Sequence, residues 1–150
     1  MWILSEIYKY LACDERKKIN VFLSHAKADS YAVAHAKSFK NFIDNSSLGC
    51  FFDACDISPC TNFGVEIESS LQRSSLLVFN SDAYSSSYWC QKEVISAKNL
   101  ERPVVVVDCL DIYQDRLLPA AANVPCHHIT TEELTEDEII KILITIIGKY

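Results

Sequence analysis

Glycine is scarce in this sequence, with only 3 among 150 residues. The GxGxxG pattern of dinucleotide-binding turns and the GxxxxGK[ST] pattern of P-loops are both absent. Both patterns depend on glycine, because their backbone must approach a phosphate closely. The sequence therefore excludes a Rossmann nucleotide site and a P-loop. If this protein binds a nucleotide, it does so through another kind of site.

An excess of basic residues is also missing. Lysine and arginine number 14 against 20 acidic residues, for a formal net charge of −6. Nucleic acids and anionic membrane surfaces are bound by basic surfaces, so we expect neither as a partner. No stretch approaches the roughly 20 apolar residues that a membrane-spanning helix needs.

Cysteine is abundant, but its pattern fits neither a disulfide framework nor a metal site. There are 7 cysteines, an odd number, and no basic and apolar leader typical of a secretory signal precedes them. Reduced thiols in a cytoplasmic protein are the simplest interpretation. Cys50, Cys55 and Cys60 follow one another at intervals of five residues, which matches no CxxC zinc motif. We therefore predict no metal site.

Apolar runs of strand length alternate with helical patterns along most of the chain. Strands are predicted at 19–24, 50–53, 76–80, 104–108 and 126–129. Helices are predicted at about 29–44, 64–73, 85–100 and 111–118 and from Thr135 onward. Asp29 or Ser30 can cap the first of these helices, and Thr135 with Glu138 forms a capping box for the last. Continuous apolar strands between helices indicate an α/β fold, a flavodoxin-like five-stranded parallel sheet with helices on both faces.

Residues 1–18 stand outside this alternation, so we divide the chain into a helical extension at 1–18 and one domain at 19–150. Apolar side chains of the extension share one helical face: Ile3, Leu4, Ile7, Tyr8 and Leu11. An extra N-terminal helix of this kind either packs back on the domain or forms an interface with a partner. The sequence leaves both interpretations open.

Ligands of such a sheet bind at the carboxyl ends of its strands. Phosphate-accepting receiver domains share the fold, but they need an acidic pair after the first strand and an aspartate at the end of the third. Here Ser24 and His25 follow the first strand, and Asn80 ends the third. The sequence therefore argues against receiver-domain chemistry.

Three segments resemble the motifs of Toll/interleukin-1 receptor (TIR) domains, in the right order. The first is VFLSHAKAD from Val21 to Asp29. The second comprises Phe52-Asp53, Asp56-Ile57, Phe63 and the helix at 67–71. The third is SSLLVFNS from Ser74 to Ser81, followed by Tyr84, Ser87, Trp89-Cys90 and Glu93-Val94.

The resemblance implies one of two activities. Some TIR domains are scaffolds, and others cleave NAD⁺ at the nicotinamide–ribose bond. The cleaving members carry a glutamate in the helix after the third strand, with an aromatic residue one turn before it. These positions are Glu93, the implied catalytic residue, and Trp89. Ser24, Lys27 and His25 are the other implied substrate-binding residues.

The chemistry that the resemblance implies needs few groups. Nicotinamide leaves a cationic ring as a neutral molecule, so no general acid has to protonate it, unlike the leaving group of an ordinary glycoside. One carboxylate can stabilise the oxocarbenium-like transition state. Trp89 can face the cationic ring, and Lys27 can meet a phosphate. NAD⁺ is then the substrate, no further cofactor is required, and the product is ADP-ribose or a cyclic isomer.

The resemblance also implies association with other TIR domains through the long loop after the second strand. Its expected contact residues are Asp56, Ile57, Pro59, Cys60 and Phe63. Cys60 stands where the family usually has glycine. We expect activation by self-assembly in an immune or anti-phage pathway, driven by a sensor domain or a partner protein. The alternative is a non-catalytic signalling adaptor that acts through TIR–TIR association alone.

Overall fold

A computed structural model describes residues 5–7, 9, 18–46, 48, 52–55, 63–84, 86–109, 124–129 and 132–149. At 52–55, 63, 64 and 66 only the backbone is described. The described part of the chain forms a parallel sheet between two layers of helices, as the sequence predicts. The predicted helix at 111–118 lies outside the described residues.

The sheet has five parallel strands in the order β2-β1-β3-β4-β5, which confirms the flavodoxin-like topology. They are β1 (Ile19–His25), β2 (Phe52–Cys55), β3 (Ser74–Asn80), β4 (Val104–Asp108) and β5 (Cys126–His128). The second strand ends at Cys55, two residues later than predicted, and the predicted positions 50 and 51 lie outside the described residues. Its pairing with β1 explains the later end, because Cys55 lies opposite Phe22.

In the described part of the chain, four helices cover the sheet: α1 (Ser30–Asn45), α2 (Phe63–Leu71), α3 (Tyr88–Asn99) and α4 (Glu136–Lys149). The predicted helix at 85–100 begins three residues later than expected. The Ser87 hydroxyl accepts a hydrogen bond from the Cys90 amide at 3.4 Å and so sets the start of α3.

The other two predicted caps are present. Asp29 Oδ1 accepts from the amides of Tyr31 at 2.9 Å and Ala32 at 3.3 Å, so Asp29 rather than Ser30 caps α1. The Thr135 amide donates to Glu138 Oε2 at 2.9 Å, and the Glu138 amide donates to Thr135 Oγ1 at 3.3 Å. This reciprocal pair is the predicted capping box.

Side chains alternate across the strands and divide the core into two clusters. The cluster between the sheet and α1 and α4, here the α1/α4 face, contains Leu23, Phe39, Phe79, Val107 and Ile142 among others. The cluster under α2 and α3, the α2/α3 face, contains Phe22, Ile67, Val78, Val94 and Val106 among others.

Part of the N-terminal extension contacts the domain. Ile7 is buried in the cluster of the α1/α4 face, as expected of a segment that packs back on the domain. Residues 1–4, 8 and 10–17 lie outside the described part of the chain. The domain boundary at residue 18 therefore stays a prediction.

Candidate active site

The candidate site lies where the order of the strands reverses, between β1 and β3. In sheets of this type ligands bind outside the carboxyl ends of the strands at this point. Ser24 is near the carboxyl end of β1 and pairs in register with Val78 of β3. Its side chain shares the α2/α3 face with Phe22, so it points toward α3.

Ser24, Tyr84 and Glu93 form a buried polar cluster on this face. The Ser24 hydroxyl donates a short hydrogen bond to Glu93 Oε2. The hydroxyls of Ser24 and Tyr84 are 2.6 Å apart, and the Tyr84 hydroxyl lies 3.3 Å from the carbonyl oxygen of Cys90. Glu93 is only 7% exposed. Two predicted site residues, Ser24 and Glu93, are thus brought into direct contact.

The helical periodicity of α3 directs Glu93 into the protein. Four residues of α3 are buried and lie on one face of the helix: Cys90, Glu93, Val94 and Ala97. Glu93 therefore places a carboxylate at a position that the pattern would give to an apolar side chain. Burial of an ionised carboxylate is unfavourable unless hydrogen bonds compensate it, and the Ser24 hydroxyl provides one.

The turn between β3 and α3 places the Tyr84 hydroxyl in the cluster. The Tyr84 amide donates to the Ser81 carbonyl at 3.0 Å, and the Ser87 amide donates to the Tyr84 carbonyl at 3.1 Å. These bonds fold the chain back so that the tyrosine ring is fully buried beside β1. Tyr84 belongs to the third segment that resembles a TIR motif, but it was not predicted as a site residue.

Two neighbours of Glu93 stay neutral at physiological pH. Burial raises the pKa of Tyr84 well above its ordinary value of 10.0, and the negative charge of Glu93 raises it further, against a lowering hydrogen bond from Ser24. Burial likewise raises the pKa of the Cys90 thiol, with a smaller contribution from Glu93. Tyr84 therefore keeps its hydrogen and can donate it within the cluster.

Trp89 lies at the surface, one turn before Glu93. Its side chain is 42% exposed, which excludes a role as a buried core aromatic. The Lys92 ammonium lies 5.4 Å from the centroid of the indole ring, and the Tyr88 ring meets it edge-on at 5.3 Å. The indole already binds a cation in this arrangement, so it is suited to a cation–π contact.

Lys27 and His25 lie outside the buried polar cluster. Lys27 is exposed in the turn between β1 and α1. His25 follows Ser24 in β1 and is half-buried, and the alternation of the strand directs it toward the opposite face of the sheet. Their roles as substrate-binding residues stay predictions.

The predicted association loop falls largely outside the described residues. This applies to Asp56, Ile57, Pro59 and Cys60. Phe63 is the first residue of α2, and only its backbone is described. The contacts of the loop are therefore still a prediction.

A second buried carboxylate, Asp108, was not predicted as a site residue. Asp108 ends β4 opposite Asn80 of β3, and its Oδ2 lies 3.7 Å from His128 Nδ1. Only its position at a strand end could have indicated it from the sequence. Within the described ranges, no group of three or more histidine, cysteine or acidic residues is placed to hold a metal ion. None of the described helices is both long and apolar enough to cross a membrane.

Comparison with known families agrees with the geometry. A family model described as "TIR domain" matches residues 21–143, which include most of β1, the buried cluster and the first eight residues of α4. A comparison with curated proteins gives no match. The matched region covers well over half of the 150 residues, so the chain belongs to the TIR domain family.

Proposed function

We propose that this protein cleaves NAD⁺ at the nicotinamide–ribose bond and releases nicotinamide together with ADP-ribose or a cyclic isomer. One observation carries the proposal: a buried carboxylate, that of Glu93, lies at the switch point of the sheet and accepts a hydrogen bond from Ser24. A carboxylate in this position has a cost in folding free energy that an apolar residue would avoid. A role in chemistry accounts for keeping it.

In the proposed reaction Glu93 acts on the ribose. As the bond to the cationic pyridinium ring lengthens, positive charge develops on the ribose, and nicotinamide departs as a neutral molecule. A fixed carboxylate in a site of low dielectric constant stabilises that charge without having to reorganise. Water or a nucleophilic atom of the same dinucleotide then captures the ribose carbon, and this choice decides between the linear and the cyclic product.

Two surface residues complete the proposed substrate site. Trp89 offers a ring face to the pyridinium cation, and it already makes such a contact with Lys92. Lys27 is exposed next to the end of β1 and supplies a cation for the pyrophosphate. We retain Ser24 and His25 as further residues of the site, Ser24 through its bond to Glu93.

The test is the release of nicotinamide from NAD⁺ by wild-type protein and by Glu93→Gln. Loss of an electrostatic group of this kind reduces turnover by roughly 100-fold or more. Glu101→Gln is the matched control, because Glu101 is exposed and lies between α3 and the amino end of β4, whereas the site lies at the carboxyl ends of the strands. Wild-type turnover by Glu93→Gln, or no turnover by assembled wild-type protein, would refute the proposal.

We further propose that the activity depends on assembly with other TIR domains, in a cytoplasmic immune or anti-phage pathway switched on by a sensor domain or a partner protein. The apolar residues Ile57, Pro59 and Phe63 of the long loop suit a neighbouring molecule better than water. Specific activity should then rise with protein concentration. A flat value from nanomolar to high micromolar protein, with and without a crowding agent, would contradict this dependence.

A non-catalytic adaptor is the second candidate, favoured by exposed apolar side chains on the helices of the site. Val65 of α2 and Ile95 of α3 are both exposed. An adaptor would give no turnover at any concentration. Its association would be abolished by substitutions in the loop at 54–63 and would be insensitive to Glu93→Gln.

A further inference from the structure

The hydrogens of the buried cluster can be counted, and the count fixes the direction of its bonds. A serine or tyrosine hydroxyl has one hydrogen to donate. The hydrogen of Ser24 is used in the bond to Glu93 Oε2. While Glu93 is ionised its oxygens can only accept, so across the 2.6 Å contact between the Ser24 and Tyr84 hydroxyls the hydrogen comes from Tyr84. The carbonyl of Cys90, at 3.3 Å, is the more distant of the two acceptors within reach of the phenol.

We propose that Tyr84 is a positioning residue for Glu93: its hydroxyl donates to Ser24, Ser24 donates to Glu93, and this chain holds the carboxylate ionised and fixed in orientation. The catalytic consequence of the chain rests on the function proposed above. Its effect on the charge of Glu93 is independent of any substrate.

The surroundings of the chain give it this effect. Tyr84 is fully buried, and Ser24 is 1% exposed, so no bulk water replaces either donor. Around them the α2/α3 face is lined by apolar side chains such as Phe22, Val78 and Val94. In such surroundings each hydroxyl in a chain polarises the next, and the last bond, to a charged oxygen, is the strongest.

The sequence of the turn supports a role beyond filling space. Phenylalanine would fill the same volume at position 84 without a buried hydroxyl that needs partners. Burial keeps the pKa of Tyr84 well above its ordinary value, so the phenol remains a donor throughout the physiological range. Tyr84→Phe removes this one hydroxyl and leaves the ring in place.

The experiment is a carboxyl carbon-13 NMR titration of Glu93 in wild type, Ser24→Ala and Tyr84→Phe, with the resonance assigned through Glu93→Gln. Loss of the direct donor in Ser24→Ala should move the titration midpoint of Glu93 to higher pH by about one unit. Loss of the remote donor in Tyr84→Phe should move it in the same direction by a few tenths of a unit. The acidic limb of kcat/KM for NAD⁺ should move by the same amounts.

Tyr31→Phe is the matched control, because Tyr31 packs against His35 on the opposite face of the sheet and its variant should leave the midpoint unchanged. A midpoint in Tyr84→Phe that stays at the wild-type value, or moves to lower pH, would overturn the positioning role. Shifted midpoints in a protein that releases no nicotinamide would support the hydrogen-bonded chain and refute the proposed function. The two failures are therefore distinguishable.

Discussion

The two faces of the sheet bury different kinds of groups. On the α1/α4 face, aliphatic and aromatic side chains of α1 and α4 pack on β1, β3 and β4. The fully buried polar residues of α1 and β3 on this face are His35 and Ser75. Both acidic residues that are buried in the described part of the chain, Glu93 and Asp108, lie on the α2/α3 face or at its edge. Within the described residues, the buried acidic side chains thus lie on only one side of the sheet.

This difference separates stability from chemistry within one domain. Apolar burial stabilises in proportion to the area removed from water, whereas burial of a carboxylate is unfavourable and needs compensating bonds. We infer that the α1/α4 face provides most of the folding free energy. On the α2/α3 face, the buried carboxylate of Glu93 near the end of β1 reduces the contribution to the folding free energy. Substitutions on the two faces should therefore affect different measurements.

The largest expected effect is on the stability provided by the α1/α4 face. Phe39 is fully buried in α1, and its ring meets Phe79 of β3 edge-to-face at a centroid distance of 6.5 Å. Phe39→Ala should lower the free energy of unfolding by about 3–5 kcal/mol, because it removes apolar contacts and leaves a cavity. Urea unfolding followed by circular dichroism measures this loss.

The same measurement on Glu93→Gln sharpens the contrast. Its free energy of unfolding should change by much less than that of Phe39→Ala, while its turnover of NAD⁺ is lost. Phe39→Ala should in turn keep wild-type turnover per folded molecule. If Glu93→Gln unfolds as readily as Phe39→Ala, then the carboxylate is needed for the fold and the division between the faces is wrong.

The next effect compares one helix cap from each face of the sheet. Asp29 caps α1 with two bonds, at 2.9 and 3.3 Å, whereas Ser87 caps α3 with a single bond of 3.4 Å. Asp29→Ala should cost about 1 kcal/mol of unfolding free energy, and Ser87→Ala clearly less. Asp29→Asn is the control, since asparagine keeps the capping oxygen. An equal or larger loss in Ser87→Ala would show that α3 depends on its cap more than the geometry indicates.

Much of this fold follows from local patterns in the sequence. The strand order, β4 and the capping box at Thr135 were predicted correctly, and Asp29 is one of the two residues predicted to cap α1. The apolar run of β4 and the caps act over a few neighbouring positions. The end of β2 at Cys55 was not predicted, since it depends on pairing with β1 rather than on the residues of β2 alone.

The candidate site was predictable only in part, and for a similar reason. Glu93 and Trp89 were identified from the resemblance to TIR domains, but the motif does not show that one is buried and the other exposed. The bond between Ser24 and Glu93 joins positions 69 residues apart, and the contact of Ser24 with Tyr84 spans 60. Such contacts arise from the fold, and no local pattern contains them.

A smaller effect should follow from the cation that already covers Trp89. The Lys92 ammonium lies 5.4 Å from the ring centroid, where the pyridinium ring of NAD⁺ would compete with it. A cation–π contact at an exposed site is worth about 0.5–1 kcal/mol, so Lys92→Gln should tighten NAD⁺ binding by roughly two- to fivefold. The binding is measured by tryptophan fluorescence in the Glu93→Gln background, where the substrate is not consumed.

Lys98→Gln provides the control for net charge, because Lys98 is exposed in the last turn of α3 and its loss changes the charge equally. It should weaken NAD⁺ binding slightly or leave it unchanged. If Lys92→Gln weakens binding as Lys98→Gln does, Lys92 attracts the phosphates of NAD⁺ and does not compete for the indole.

The smallest effect is a pH dependence of stability that belongs to the α1/α4 side. His127 of β5 makes a 2.9 Å hydrogen bond through Nε2 to Thr145 Oγ1 of α4. Burial, and to a smaller extent Lys141, lowers the pKa of His127 below its ordinary value of 6.5. In the unfolded chain the ring therefore takes up a proton at higher pH than in the folded protein. The resulting stability is complete above pH 6.5 and declines as the pH falls through the lowered value.

Substitution of His127 should remove this dependence without changing the chemistry of the site. His127→Gln keeps a hydrogen-bonding group near Thr145 but does not titrate, so its melting temperature should fall less than that of wild type between about pH 7.5 and about pH 5.5. Its activity relative to wild type should stay constant over the same range, because His127 contacts α4 and Glu93 lies on the opposite face. If instead the variant loses stability on acidification as steeply as wild type, other groups cause the acid sensitivity, and protonation of His127 does not contribute to it.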